Sequence, residues 1–399
     1  MKYAIMLVLA VFQLVHIDGA IAAGGTIPGY FGQLGASIIT PIACGAAANA
    51  QVPGTTDLFV GRQFFKQDGS LTTAEEKCGN NEGIREAIRS SRWGIVLAKL
   101  DWQHKKFTIV KPLIAPMTEI TGGPMKGAVI KKALDPQMVI YRGEYVMTFE
   151  CIVIRQHYRI QGTSACIATY DPVSQQVRLD RTYVAVSGRH TGPQFHSASV
   201  PQLLVFGGNL FLYWSELTID PGRGITRIGV RGVQLEADTA GFYWAKGIGH
   251  MVYSINPPTV EVWGPYAGKP MSDTAVDIKS LWVHGNEIIA LAGLGGGGCA
   301  SQGPQPGCFR MALAKSSRPL GDHVFNDSPL LHEEQLPTNG QGYTRPIRNP
   351  AGGYSFIGSF RKPPINGYSE IRPVPPVWGS GPSAIVMFPF PDKNLWPTQ

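Results

Sequence analysis

Charge is scarce in this chain: Asp, Glu, Lys and Arg make up only 16% of its 399 residues. Helical patterning is scarcer still. The best amphipathic stretch, EGIREAIRSS over 82–91, is too short to hold a helix on its own, which argues against a helical or α/β architecture. After residue 22 no apolar run approaches the ~20 residues a spanning helix needs, so no integral membrane segment is expected in the remaining chain. The net charge of +7 is scattered, without a Lys/Arg block or a basic helix, and nucleic acid is not an expected partner. There is no CxxC pair of zinc-ligand spacing, no Walker lysine, no HExxH and no GxSxG. Gly293–Gly298 fits GxGxxG formally, but no helix pattern follows it, so it does not read as a nucleotide loop. No acidic cluster is dense enough to assign a calcium ion, and no cofactor is expected.

What is abundant is punctuation. Gly (48) and Pro (31) make up about a fifth of the chain and fall between short apolar runs, the pattern of a protein built from strands and turns. At the N-terminus Lys2 precedes an apolar run over 4–15 and an Ala20-Ile21-Ala22 pattern, so residues 1–22 read as a signal peptide and the chain as secreted or periplasmic. Six cysteines in an exported chain favour disulfides. The local pairs suggested by spacing are Cys151 with Cys166, Cys299 with Cys308, and Cys44 with Cys78.

A long-period repeat organises the strands. The stretches beginning at Asp135, Ser199, Val276 and Tyr343 each have a polar head, an apolar strand, a Gly-containing turn and a second strand rich in aromatic or branched residues. Their starts lie 64, 77 and 67 residues apart, a spacing that suits four-stranded propeller blades with decorated loops. Residues 92–112 form another strand pair, and SAIVMFPF over 383–390 reads as a last strand able to close a ring against the N-terminal one. The expected fold is therefore all-β, a five-bladed β-propeller over 91–399, with residues 23–90 as an N-terminal extension packed on it.

The stretch ALDPQMVIYRGEYVMTFEC, residues 133–151, carries a family resemblance. Its "DP" before a strand, "RGEY" turn and second strand resemble the first-blade motif of the five-bladed glycoside hydrolases, families 43, 32, 68 and 117. SVPQLLVFGGNLFLYWSE, from Ser199, resembles their second-blade pattern. The resemblance covers Trp93 to about Phe360 as architecture, with only Asp135-Pro136 as a sharp motif. It implies a carbohydrate-cleaving site at a funnel mouth, with Asp135 as base or nucleophile and Asp277, at the head of the third unit, as a carboxylate that tunes the acid. Cleaving a glycosidic bond needs a proton donor and a second group that attacks carbon or activates water. An acid held by the rigid φ of the following proline suits the second role.

The family's glutamate acid has no match here. Two glutamates end second strands, Glu150 and Glu216; Glu216 is favoured as the acid because burial beside Tyr213 and Trp214 would raise its pKa. A histidine acid, as resemblance to family 117 would allow, falls on His196 or His250. Arg345 is placed to bind a carboxylate or sulfate on a sugar. Trp214, Tyr243, Trp244, Trp263 and Trp282 are candidate platforms for sugar rings, most of them expected to pack between blades. The expected partner is an oligo- or polysaccharide, of an anionic kind if the basic balance has a purpose. Two other readings stay open: a propeller that binds glycan without cleaving it, and a polysaccharide lyase acting on uronic acids.

Overall fold

Short strands with two-residue turns dominate the chain, and in the computed structural model nearly all of them find a partner next to them in sequence. The structure describes residues 37–39, 47–71, 92–155, 158–159, 163–220, 224–247, 249–253, 275–295, 309–321, 324–325, 341–361, 383–390 and 393–398. These form five antiparallel sheets. Sheet I pairs Ala47–Gln51, Leu58–Phe64, Trp93–Asp101 and Lys106–Ile114. Sheet II is built on Val129–Tyr141, Glu144–Arg155, Ser164–Asp171 and Gln176–Val186. Sheet III is built on Ser199–Phe206, Asn209–Asp220 and Gly224–Ala237. Sheet IV has Ala275–His284, Glu287–Gly295 and Phe309–Ser316, and sheet V has Gln341–Arg348, Tyr354–Arg361 and Ser383–Pro389.

The arrangement is propeller-like. The leading strands Ala47–Gln51, Val129–Tyr141, Ser199–Phe206, Ala275–His284 and Gln341–Arg348 touch one another in a closed cycle. The core lies between the faces of successive sheets. Val60, Ile95, Met138 and Phe149 fill the space between sheets I and II. Ile167, Tyr183, Leu212 and Val233 fill that between II and III, and Tyr213, Val230, Ile278 and Ile288 that between III and IV. Trp282 meets Phe356 edge-on between IV and V, and Phe59, Phe107 and Ile357 join V back to I. A sheet covered on both faces is apolar along its whole length rather than on alternate residues, which is why Trp93–Asp101 reads WGIVLAKLD.

The last strand closes the ring as expected: Ser37–Ile39 pairs antiparallel with it, Ser37 opposite Met387. The four repeat units each form a leading strand and its hairpin partner. The turn at Arg142-Gly143 has φ of 50° and 80°, the left-handed pair that matches the twist of a two-residue hairpin. One boundary is corrected. Residues 47–64, assigned above to an extension, supply two strands of sheet I, with Phe59 opposite Ala98 and Phe64 opposite Trp93. Their apolar run, LFVGRQF, is buried on both faces and has no stability outside a sheet. Of the three suggested disulfides, Cys151–Cys166 is present, joining adjacent strands of sheet II. The other four cysteines, residues 1–22, expected as a signal peptide, and Trp263 lie outside the described residues.

Every leading strand carries a break in register at the same level. It falls between Ala48 and Ala50, Leu134 and Gln137, Ser199 and Gln202, Ile278 and Ser280, and Gly342 and Arg345. Bulges of this kind re-aim side chains and recur next to active sites. Here they gather polar groups around the ring of leading strands.

Candidate functional site

Asp135 occupies the bulge of sheet II with φ 55°, a left-handed conformation that non-glycine residues seldom adopt. Val200 occupies the matching bulge of sheet III with φ 47°, an outlier for a β-branched residue. Each precedes a proline and then a glutamine, so Asp135-Pro-Gln137 and Val200-Pro-Gln202 are two copies of one device. Gln137 fastens the copies together: its Nε2 donates to the Leu203 carbonyl at 3.2 Å and its Oε1 accepts from the Leu203 N–H at 2.8 Å.

The bulges deliver two buried carboxylates to one place. Asp135 is 1% exposed, and Arg62 Nη1, from sheet I, lies 3.4 Å from its Oδ1. Glu150 sits on the adjacent strand opposite Leu134 and is also buried. Its Oε2 accepts from the strained Val200 N–H at 3.2 Å, and Lys132 Nζ lies 3.6 Å from its Oε1. Burial pushes the Glu150 carboxyl up to about 7, and the charge of Asp135 pushes the same way. Lys132, the Val200 N–H and Arg62 oppose that rise without cancelling it. Lys279 fills the bulge of sheet IV and is buried, and Arg345 follows the bulge of sheet V, buried likewise. With Ser199 and Gln202 of sheet III also buried, the level of the bulges is a ring of buried polar and charged side chains drawn from all five sheets.

A second cluster lies nearby on sheet III. Glu216 Oε2 accepts from Arg231 Nε at 2.6 Å and from Arg189 Nη2 at 3.2 Å, while His196 Nδ1 lies 3.5 Å from Oε1. Burial acts to raise the Glu216 carboxyl, but the hydrogen bonds and charges of the two arginines outweigh it and hold the group below its ordinary value. This corrects the expectation that Glu216 would be a raised-pKa acid: tyrosine and tryptophan precede it in sequence, but arginines meet its oxygens. A cavity of about 220 Å³ opens here, lined by Arg189, His196, Ser197, Trp214 and Glu216 among others. The segment 197–200 joins it to the first cluster, since Ser197 lines the cavity and Val200 caps Glu150.

The remaining expected residues separate. Asp277, expected at the head of the third unit, pairs with Gly293 one step before the register break, and the residue in the bulge is Lys279; the Asp277 side chain is outside the described residues. His250 is exposed on the short strand His250–Tyr253 that pairs along Gly224–Ala237. Trp214 is buried, with Gly249 held against its ring. Trp244 packs 4.9 Å from Tyr183 and donates to Asp238, so it braces sheets II and III. Tyr243 and Trp282 likewise serve packing, donating to Glu144 and to the Leu395 carbonyl. Arg345 is 5% exposed, buried like Asp135 and Glu150 at the level of the bulges. Sequence reasoning did not single out Arg62, Lys132, Lys279, Arg189 or Arg231. The shared Pro-Gln after Asp135 and Val200 was the signal that could have aligned the bulges and exposed Lys279.

Among the described residues no group of three His, Cys, Asp or Glu side chains is placed to hold a metal ion, and no helix is long and apolar enough to cross a membrane. No protein-family model matches the sequence, and no curated protein matches it. Solved structures do match. An α-L-arabinofuranosidase from Lactobacillus brevis superposes with a TM-score of 0.53 at 10% identity, covering 91% of this chain and 96% of that one. An exo-1,5-α-L-arabinanase from a bovine ruminal metagenomic library gives 0.46 at 13% identity over 88% and 92%. Zg3597, a family 117 glycoside hydrolase from Zobellia galactanivorans, gives 0.45 at 12% over 86% and 83%. The expected resemblance holds as one of fold: this chain is similar in fold to the Lactobacillus arabinofuranosidase along nearly its whole length.

Proposed function

We propose that the chain is an exported glycoside hydrolase, that its five sheets are the blades of a five-bladed propeller, and that its reacting pair is Asp135 and Glu150. The observation that carries this is the raised Glu150 carboxyl beside a second buried carboxylate. A buried acid raised above its ordinary value, with a second carboxylate beside it, is an arrangement by which such sites divide the work. Glu150, pushed up to about 7 by burial, keeps its proton in roughly half of the molecules at neutral pH and is suited to protonate a leaving glycosidic oxygen. Asp135, paired with Arg62, would act on carbon or on water from the other side of the bond. The strained bulges at 135 and 200 fix both groups, one directly and one through the Val200 N–H. Fold likeness alone does not assign a reaction, so the site bears the weight.

A second reading is favoured by one feature. Both carboxylates already have a cation, Arg62 for Asp135 and Lys132 for Glu150, as in a propeller that binds glycan without cleaving it. The test is product release from a panel of neutral and acidic polysaccharides by the wild type, Asp135→Asn and Glu150→Gln. Release by the wild type and its loss in both variants, with melting temperatures retained, supports the hydrolytic pair. Full activity in Asp135→Asn overturns the assignment. Retention on a glycan gel without release of product points to the binding reading.

A further inference from the structure

The cavity beside Glu216 has a polarity that the reacting pair does not explain. Its walls are mixed, with Ala185, Ala198, Gly247 and Trp214 among the apolar residues and Ser187 and Ser197 among the polar ones. Of the lining residues only Arg189, His196 and Glu216 carry or can carry charge. Glu216 is engaged: Oε2 accepts from Arg231 and Arg189, and Oε1 faces His196 at 3.5 Å. Arg231 lies behind it, its Nε on Glu216 and its Nη1 donating to the Gly249 carbonyl at 3.2 Å. Arg189 differs. Its Nη2 touches Glu216, its side chain is 36% exposed, and no other acceptor meets it among the described residues. Two arginines against one glutamate leave the cluster with a net positive charge, and Arg189 offers the rest of its fork of donors to the cavity.

We propose that this cavity binds an oxyanion carried on a sugar, a uronate carboxylate or a sulfate ester, with Arg189 as the recognising residue and Glu216 and Arg231 as the groups that position it. A planar guanidinium presenting paired N–H donors matches such oxyanions in two-point contact. At about 220 Å³ the space is below the roughly 300–1,000 Å³ of sites for larger ligands, which suits one acidic ring and not a chain. Ser197 to Val200 connects the cavity to Glu150, so an acidic ring held here would lie next to the proposed reacting pair. The inference refines the substrate class of the proposed function, but it is tested by binding, so loss of one does not carry the other with it.

The experiment is calorimetric titration of the full chain with glucuronate, glucose 6-sulfate and glucose, for the wild type, Arg189→Gln and Arg189→Lys. The expected result is that at least one acidic sugar binds more tightly than glucose. Arg189→Gln should weaken that binding about tenfold to a hundredfold, the loss of one charge-assisted contact. Arg189→Lys should fall between, keeping the charge but not the fork. Preference for glucuronate identifies the carboxylate as the source, and preference for glucose 6-sulfate identifies the sulfate. Equal affinity for glucose, no binding of either acidic sugar, or full affinity in Arg189→Gln with an unchanged melting curve overturns the proposal. Arg189 lies on the short strand Arg189–Thr191 at the edge of sheet III, so its truncation leaves the core untouched.

Discussion

Replacing Glu150 by glutamine should stabilise the protein at pH 8 and do little at pH 4.5. The wild-type carboxyl titrates at about 7 in the folded state, against an ordinary value of 4.5. Between those limits the folded chain keeps a proton that the unfolded chain has already released. Stability therefore falls as pH rises through this window, by about 1.4 kcal/mol per unit, or about 3 kcal/mol in all. Below the window both states are protonated and there is no effect; above it both are ionised and the full loss persists. Glutamine keeps an oxygen for the Val200 N–H and carries no charge to desolvate. It leaves Lys132 without its partner, but that side chain is 19% exposed and can reach water. Urea melts of both proteins at intervals from pH 4.5 to 8.5 measure the difference directly. The reasoning fails if the difference is flat across the range, or if the variant loses ground as pH rises, for then Glu150 is held charged by its cations and cannot serve as a proton donor.

Further expectations concern how the sheets are joined. Replacing both Cys151 and Cys166 by serine should cost about 3 kcal/mol in a urea melt, since the bridge closes a loop of 15 residues. Tyr183→Phe should cost about 1–3 kcal/mol. The Tyr183 hydroxyl donates to the Tyr243 carbonyl at 2.7 Å and accepts from the Tyr243 N–H at 2.6 Å, and the change strands both inside the contact between sheets II and III. Arg231→Gln removes a 2.6 Å charged hydrogen bond from Glu216 and should cost about 1.5–3 kcal/mol at neutral pH. Because Glu216 is held below its ordinary value, that cost should shrink as pH falls and the carboxylate is protonated in both states. Carboxyl chemical shifts in an NMR titration should show the Glu216 pKa rise in this variant.

Local chemistry made much of this legible in the sequence. Alternating or continuous apolar runs bounded by glycine and proline fix strands and turns, and these depend on neighbours in the chain. So the all-β class, the four repeat units, the closing strand 383–390 and the Cys151–Cys166 bridge could all be read from the chain alone, whereas Asp135, expected at a strand head, sits at a bulge midway along Val129–Tyr141. The failures share one cause. A strand of buried residues such as 58–64 declares no partner, and only pairing with Trp93–Asp101 made it part of sheet I. One residue of bulge decides which side chain meets the ring of leading strands, and it gave that place to Lys279 over Asp277. Which glutamate holds a proton was settled by residues from elsewhere in the chain. Asp135, 15 positions away, pushes Glu150 up while the Val200 N–H, 50 positions away, opposes the rise, and Arg189 and Arg231, 27 and 15 positions from Glu216, hold that carboxyl below its ordinary value. Sequence sets the strands because their preferences are local; electrostatic environment is a sum over groups brought together by folding, and only the tertiary structure supplies its members.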